Sequence, residues 1–395
     1  MDAILHFTLN LFLPFLLVIT VLVFVHELGH YLVARWNGVK VDAFSIGMGP
    51  QLIGFDDKHG TRWKFCLFPI GGYVKMFGDA DIFSRPEQED GADTGGDGDG
   101  DDSPDPAKGW AAGAVRRLSD EERAGSFHHK RVGQRFAIVL AGPMANFIFT
   151  IVVLFFMLLT IGQATTLPVV GAVIEDSPAE RAGFLVGDRV IAIDGQEIDR
   201  FQDLQRIVQL RLDREMNVEI LRDGATLFLS LTPELVEVED ITGRIIPTPR
   251  IGIAADAPTL QRLGVWDAAK GSITETLAIA NLTLRVVGQI ITGRRGTEEL
   301  GGPVRIAELS GKMVENGAVS VIWFMALLSL NLGIINLFPI PVLDGGHLLF
   351  YICEWVRGKP LPERAQAAGY RIGLVLVLAL FAFVFWNDLS FYWTN

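Results

Sequence analysis

Cysteine is nearly absent from this chain: Cys66 and Cys353 are the only two in 395 residues, far apart and without a CxxC spacing. That excludes a disulfide framework and a thiolate zinc site, and both residues read as small buried hydrophobes. Basic residues are scarce too, 34 Lys and Arg against 46 Asp and Glu, and they form no patch that would serve as a footprint for nucleic acid. A general acidic surface is equally missing despite the net charge of −12, because residues 79–107 hold eleven acidic residues against Arg85 alone and the rest is near neutral. Charged residues make up 20% of the chain and hydrophobic ones 50%, with a mean hydropathy of +0.34. Such a composition speaks against one soluble core and for membrane spans.

Four runs, at 5–32, 136–161, 319–338 and about 370–386, are dominated by Leu, Ile, Val, Phe and Ala and come close to the ~20 residues that cross a bilayer. The first lacks a basic stretch before it and a small-residue cleavage site after it, so an uncleaved anchor is expected rather than a signal peptide. The flanking Lys and Arg that set the orientation are Arg35 and Lys40 after the first, Lys130, Arg131 and Arg135 before the second, Arg357 and Lys359 after the third, Arg364 and Arg371 before the fourth. The positive-inside rule then places the 36–135 and 339–369 connections in the cytoplasm, and both termini and the 163–318 segment outside.

Between the runs the chain changes character. Residues 36–78 are rich in aromatic and β-branched residues punctuated by Gly, with a polar tip at "DDKHG", and read as membrane-associated hairpin strands. Residues 85–107, "RPEQEDGADTGGDGDGDDSPDPA", have too few apolar side chains to offset ordering entropy and are expected to be disordered, within an acidic insertion and basic linker over 79–130. Their Asp density alone is no calcium loop, since the glutamate twelve positions on is missing. Residues 163–256 alternate strands and short helices: "DSPAERAGF" offers an Asp or Ser N-cap with Pro178 in the first turn, and "RVIAIDGQEI" a strand pair closed at Asp194-Gly195. This α+β unit resembles a PDZ domain of the bacterial protease type, which implies binding of extended peptide ends by strand addition. Residues 257–317 read as an amphipathic helical segment that lies on the outer membrane face or braces the domain.

Chemistry enters at "HELGH". On a helix His26 and His30 share one face a turn apart, close enough to grip one metal ion, and Glu27 lies beside them where it can take a proton from water. The bland alternative is a helix end whose polar residues face headgroups. Against it stands the cost of ionisable groups within a span, about 2.5–3.5 kcal/mol each at its centre on insertion scales. A third ligand is also at hand: Asp344, in "NLGIINLFPIPVLDGGH" at the end of the third span, expected over 318–345. The first and third spans run the same way, so His26, His30 and Asp344 are expected at one depth, leaving an open fourth position as in catalytic zinc sites. His347 is left outside this set as a surface or headgroup contact.

HExxH in the first span, "AGPMANF" in the second, "NLGIINLFPIPVLDG" in the third and a PDZ-like unit between the second and third together resemble the site-2 protease family of intramembrane zinc metalloproteases, over nearly the whole chain. The resemblance implies Zn²⁺ held by His26, His30 and Asp344, with Glu27 as general base. It further implies that Asn331, Asn336, Pro339 and Pro341 help hold an unwound substrate segment, and a fold that is a four-helix membrane protein with a cytoplasmic-side β-hairpin region and an inserted extracytoplasmic PDZ domain. The substrate it implies is a single-span membrane protein already trimmed outside, such as an anti-sigma factor, or leftover signal peptides, at a bacterial inner membrane with the PDZ domain in the periplasm. Two departures stand out: one PDZ-like unit where the best-known members have two, and the acidic insertion.

Physical chemistry asks for the same parts, since an unwound substrate exposes N–H and C=O groups in a dry place. The stretch "FPIGGYVKM", with Gly71 and Gly72, can pair with it as an added strand, and the Asn331 and Asn336 amides can cap freed groups. The alternatives are helix–helix hydrogen bonding for the asparagines and a plain turn for the glycines. Gly142, Pro143 and Asn146 read as packing or a kink of the second span, close to the metal site, and not as catalytic. Two rival functions complete the field: an inactive scaffold that holds peptide tails through the PDZ domain, and a metal transporter, which would carry polar residues through several spans where the second and fourth have almost no ionisable groups.

Overall fold

The computed structural model describes residues 11–78, 119–212, 214–256, 259–297 and 300–394. The acidic stretch at 85–107 lies outside the described residues. Helix α1 spans Leu13–Trp36, with Pro14 in its first turn, where a missing N–H costs nothing. It buries Val18, Leu22, His26, Gly29 and His30, a stripe at helical spacing. Strands β1 (Val41–Asp56) and β2 (Arg62–Met76) follow as a hairpin bent back on itself: Ile46 pairs with both Gly72 and Phe65, so residues 43–46 lie between two stretches of β2. Phe44, fully buried, stacks on Trp63 with ring centres 4.3 Å apart and meets Phe24 and Tyr31 of α1 edge-on. At the hairpin tip Asp57 accepts from Tyr31 Oη at 2.8 Å and Trp63 Nε1 at 3.1 Å, tying the hairpin to α1 one residue beyond His30.

A short helix α2 (Asp120–Gly125), opened by a Ser119–Glu122 capping box, leads into α3 (Val132–Thr160). Helices α1 and α3 cross in contact. A Cβ on Gly29 would overlap Ala141 O and lie 2.7 Å from Ala145 Cβ. In lipid, where the hydrophobic effect does not drive helices together, such small-residue crossings supply the packing that does.

The inserted α+β domain follows. Its segments are β3 (Gln163–Thr165), β4 (Val170–Val173), α4 (Pro178–Arg181), β5 (Arg189–Ile193), β6 (Gln196–Glu197), α5 (Phe201–Leu210), β7 (Met216–Arg222), β8 (Ala225–Leu231), β9 (Glu234–Glu239), β10 (Ile245–Arg250), β11 (Ile253–Ala255) and β12 (Thr259–Gln261). The main sheet runs β6-β5-β7-β8 and packs α5 through Phe201, Leu204 and Val208 over Val190, Met216, Val218 and Ile220. Ser177 caps α4 with Pro178 behind it, and Asp194 and Gly195 both take positive φ, as a type I′ turn requires. Strand β12 pairs with β3, so the chain leaves the domain where it entered, at the end of α3.

Helix α6 (Val265–Ile291) then runs back along α3. Its buried side is a stripe of small residues, Ala268, Ser272, Thr276 and Ala280, and Ala280 packs with Leu330, Ile334 and Phe147. Its polar side holds the α+β domain: Glu275 pairs with Arg206, and Gln289 Nε2 donates to Leu210 O. Helices α7 (Pro303–Glu315), α8 (Ala318–Asn336), α9 (Asp344–Arg357) and α10 (Glu363–Thr394) complete the chain.

Four of these helices are long and apolar enough to cross a bilayer: α1, α3, α8 and, over Arg364–Ser390, α10. The third is shorter than the 318–345 expected, for α8 stops at Asn336 and Asp344 starts a separate helix. Pro339 and Pro341 cause the break, since neither has an N–H to give and each biases the residue before it out of helical backbone.

Candidate metal centre

Helix α1 delivers His26 and His30 to one point. Both are 8% exposed, and their Nε2 atoms lie 3.3 Å apart. The break after α8 delivers the third group. Gly345 and Gly346 let the chain fold back on its own loop: a Cβ on Gly345 would overlap Phe338 O, and one on Gly346 would sit 2.5 Å from Ile340 O. Val342 takes φ +120°, a value that a β-branched residue adopts only where its surroundings force it. The result aims Asp344 Oδ2 to 3.1 Å from His26 Nε2 and 3.5 Å from His30 Nε2.

These three separations are those of a metal's ligand shell. Bonds of about 2.0–2.1 Å arranged tetrahedrally put donor atoms about 3.3 Å apart. The chemistry of the set fits as well. Asp344 Oδ2 is buried without a hydrogen-bond partner among the described residues, a costly state for a carboxylate oxygen unless a cation satisfies it. His30 Nδ1–H donates to Ile138 O at 2.9 Å, which fixes its tautomer and leaves the Nε2 lone pair facing the cluster. Among the described residues, His26, His30 and Asp344 are the group of this kind that could hold a metal ion.

The other residues expected at the site are placed around it. Glu27 follows His26 on α1, and Gly72 of β2 lies against it, where a Cβ would come 3.1 Å from Glu27 Cγ and 2.7 Å from Ser45 O. Gly71, with φ +84°, precedes it. Asn331 is on α8, but its Oδ1 accepts a hydrogen bond from Thr283 Oγ1 of α6 at 3.3 Å, the helix–helix alternative. Asn336 ends α8, Pro339 is exposed in the loop, and Pro341 lies under α10, where a Cβ on Gly373 would overlap Pro341 O. His347 Nδ1 is 3.1 Å from Tyr370 Oη, turned to α10 rather than to the cluster.

Sequence reasoning put Gly142 and Asn146 close to the metal site but gave them packing alone, and it missed Ile138. Ile138 O orients His30; Gly142, one turn on, leaves room for the His30 ring, which any Cβ there would overlap; Asn146, another turn on, reaches His26 Nδ1 at 3.1 Å. A backbone carbonyl has no residue-type signal. The four-residue spacing of Ile138, Gly142 and Asn146 was the one trace available.

A multi-helix membrane protein that buries such a cluster beside a glutamate falls in the class of membrane-embedded metallopeptidases. The chain belongs to peptidase family M50, whose model matches residues 14–380. A Rhizobium meliloti protein that carries a zinc metalloprotease name is 40% identical over 380 residues, covering 95% of each chain. A Mesorhizobium japonicum protein named in the same way is 41% identical over 96% of this chain and 99% of its own. Metalloprotease MmpA of Caulobacter vibrioides is 37% identical over 95% of this chain and 94% of its own. The PDZ domain of an SdrC-like protein from Listeria innocua matches 24% of this chain and 99% of its own at 24% identity, with a TM-score of 0.19, too low to carry the fold of the inserted domain.

Proposed function

We propose that this protein is an intramembrane zinc metalloprotease that cleaves single-span membrane proteins within the bilayer. The observation that carries the reading is the geometry of His26 Nε2, His30 Nε2 and Asp344 Oδ2, mutually 3.1–3.5 Å apart with one carboxylate oxygen left unsatisfied. Zinc bound there supplies Lewis acidity, polarising the scissile carbonyl and acidifying water at neutral pH. Glu27 accepts the proton of the attacking water and passes it to the leaving amine, a role that its place beside His26 on α1 allows. The substrate enters as an unwound strand along the 72–76 stretch of β2, which pairs with β1 on one side and can accept a further strand on the other. Asn336, Pro339 and Pro341 support that segment where α8 gives way to the loop, while Asn331, expected with them, is taken up by Thr283.

The Lys and Arg distribution supports a site toward the cytoplasm, which supplies its water, and an inserted domain of the PDZ type on the outer side, in the periplasm of a bacterial inner membrane. The substrate that the resemblance favours is a previously trimmed single-span protein such as an anti-sigma factor, or a leftover signal peptide. The experiment is cleavage of a short single-span substrate lacking its outer domain by purified protein in detergent. Cleavage within the span by zinc-loaded wild type, lost with chelator and in Glu27→Gln, is the expected result. Near-normal turnover by Glu27→Gln removes the mechanism.

A further inference from the structure

Both histidines reach the cluster through Nε2, and what touches the other ring nitrogen decides whether Nε2 carries a lone pair or a proton. For His30 the partner is Ile138 O, which can only accept, so Nδ1 holds the proton. For His26 the partner is the side-chain amide of Asn146, which can do either. As placed, Asn146 Nδ2 lies 3.1 Å from His26 Nδ1. An N–H donated to Nδ1 puts the His26 proton on Nε2, on the side of Asp344 Oδ2 at 3.1 Å, where it takes the lone pair that a metal needs. The same placement leaves Asn146 Oδ1 buried with no hydrogen-bond partner among the described residues, on a residue that is 0% exposed. A buried oxygen without a donor is costly, and a half-turn of the amide exchanges its near-isosteric ends. That half-turn brings Oδ1 to His26 Nδ1, calls the proton to Nδ1 and leaves the Nε2 lone pair aimed at the cluster.

We infer that Asn146 is the positioning residue that selects the metal-binding tautomer of His26, by presenting Oδ1 to its Nδ1–H. The inference rests on the metal reading above. The backbone of Asn146 is held in place, since its carbonyl O accepts from Thr150 Oγ1 at 3.0 Å and from Ser329 Oγ of α8 at 3.2 Å, so the residue sits at a clamped contact of α3 with α8. Ile138, Gly142 and Asn146 then make one face of α3 that orients both histidines, with the glycine leaving room between the two orienting groups.

The test measures zinc affinity of purified full-length protein by competition with a chromophoric chelator, and the visible absorption of the cobalt(II)-substituted form. Asn146→Asp offers acceptor oxygens only, as in the carboxylate–histidine–zinc arrangement, and is expected to bind zinc at least as tightly as wild type with an unchanged cobalt spectrum. Asn146→Leu has similar size and no acceptor, and is expected to lose about 10–100-fold in affinity. If Asn146 instead donates to Nδ1 or merely packs, Asn146→Asp binds zinc no better than Asn146→Leu, and that ordering overturns the inference. Zinc affinity of Asn146→Leu within about twofold of wild type overturns it as well. Should Asn146→Leu fail to fold, the comparison of Asn146→Asp with wild type decides alone. Wild-type protein that binds no zinc would sink the metal reading together with this one, whereas zinc-loaded wild type with the wrong ordering of variants sinks only the role of Asn146.

Discussion

At the scale of single residues, the site is legible in sequence to the extent that side chains carry it. His26, Glu27 and His30 announce themselves by spacing, and Asp344 as an acid that topology can bring to their depth. What fixes those side chains is less visible, because it is a carbonyl at Ile138 and an absence at Gly142. That absence makes a sharp prediction. A Cβ at Gly142 would overlap the His30 ring, whose Nδ1 is already anchored to Ile138 O, so the ring can yield only by giving up its hydrogen bond or its place at the cluster. Gly142→Ala is expected to lower zinc affinity by about tenfold or more, the scale of a lost orienting partner. Gly133→Ala on the same helix, where a Cβ meets nothing within 4 Å, is the control and should bind zinc as wild type does. Equal affinities in the two variants would remove Gly142 from the site. Glu27→Gln and Asp344→Ala separate the remaining roles, since the first should keep zinc and lose cleavage while the second loses both.

At the scale of elements, the four apolar helices were plain from composition, and the hairpin and the α+β unit from alternation and turn residues. Two features were not. The end of α8 at Asn336 follows from Pro339 and Pro341, which a reading by hydropathy passes over because both sit in an apolar run. The inward-packed side of α6 is a stripe of Ala, Ser and Thr four residues apart, and small residues add little to a hydropathy profile while permitting close helix contact. In the α+β domain, Asp188 is buried between the Leu185 N–H and the Arg222 guanidinium, at 2.6 Å from Arg222 Nε. Burial alone would push its carboxyl up, but the Arg222 and Leu185 hydrogen bonds outweigh it and hold the group below its ordinary value. A carboxyl lowered on folding stabilises the folded form above the unfolded value of about 3.9, and that stability is lost as pH falls through the lower folded value. Asp188→Asn is therefore expected to destabilise the domain at pH 7 by about 1–3 kcal/mol, a difference that shrinks toward pH 3. Thermal melts of both proteins at the two pH values measure it, and a difference that does not narrow in acid would assign the loss to packing instead.

At the scale of the whole molecule, the α+β domain is fastened to the membrane helices at more than its two ends. Asp388 of α10, fully buried, accepts from the backbone N–H groups of Gly302, Val304 and Arg305, and so caps the start of α7. Arg305 in turn pairs with Asp240, in the turn between β9 and β10. These contacts join the domain to α7 and α10 as well as to α3 and α6. The pairing of β3 with β12 shows how to remove it cleanly, because Thr165 and Thr259 are cross-strand partners and a two-residue Asn-Gly turn can join them. Protein lacking residues 166–258 keeps α6, α7 and the metal centre, so it is expected to cleave a trimmed single-span substrate as wild type does. If the domain excludes untrimmed substrate, the deletion should also cleave a substrate that still carries its outer domain, which wild type leaves intact. A deletion that retains zinc and cleaves trimmed substrate, yet still refuses the untrimmed one, places the size filter in the membrane helices and leaves the domain the role of binding peptide ends.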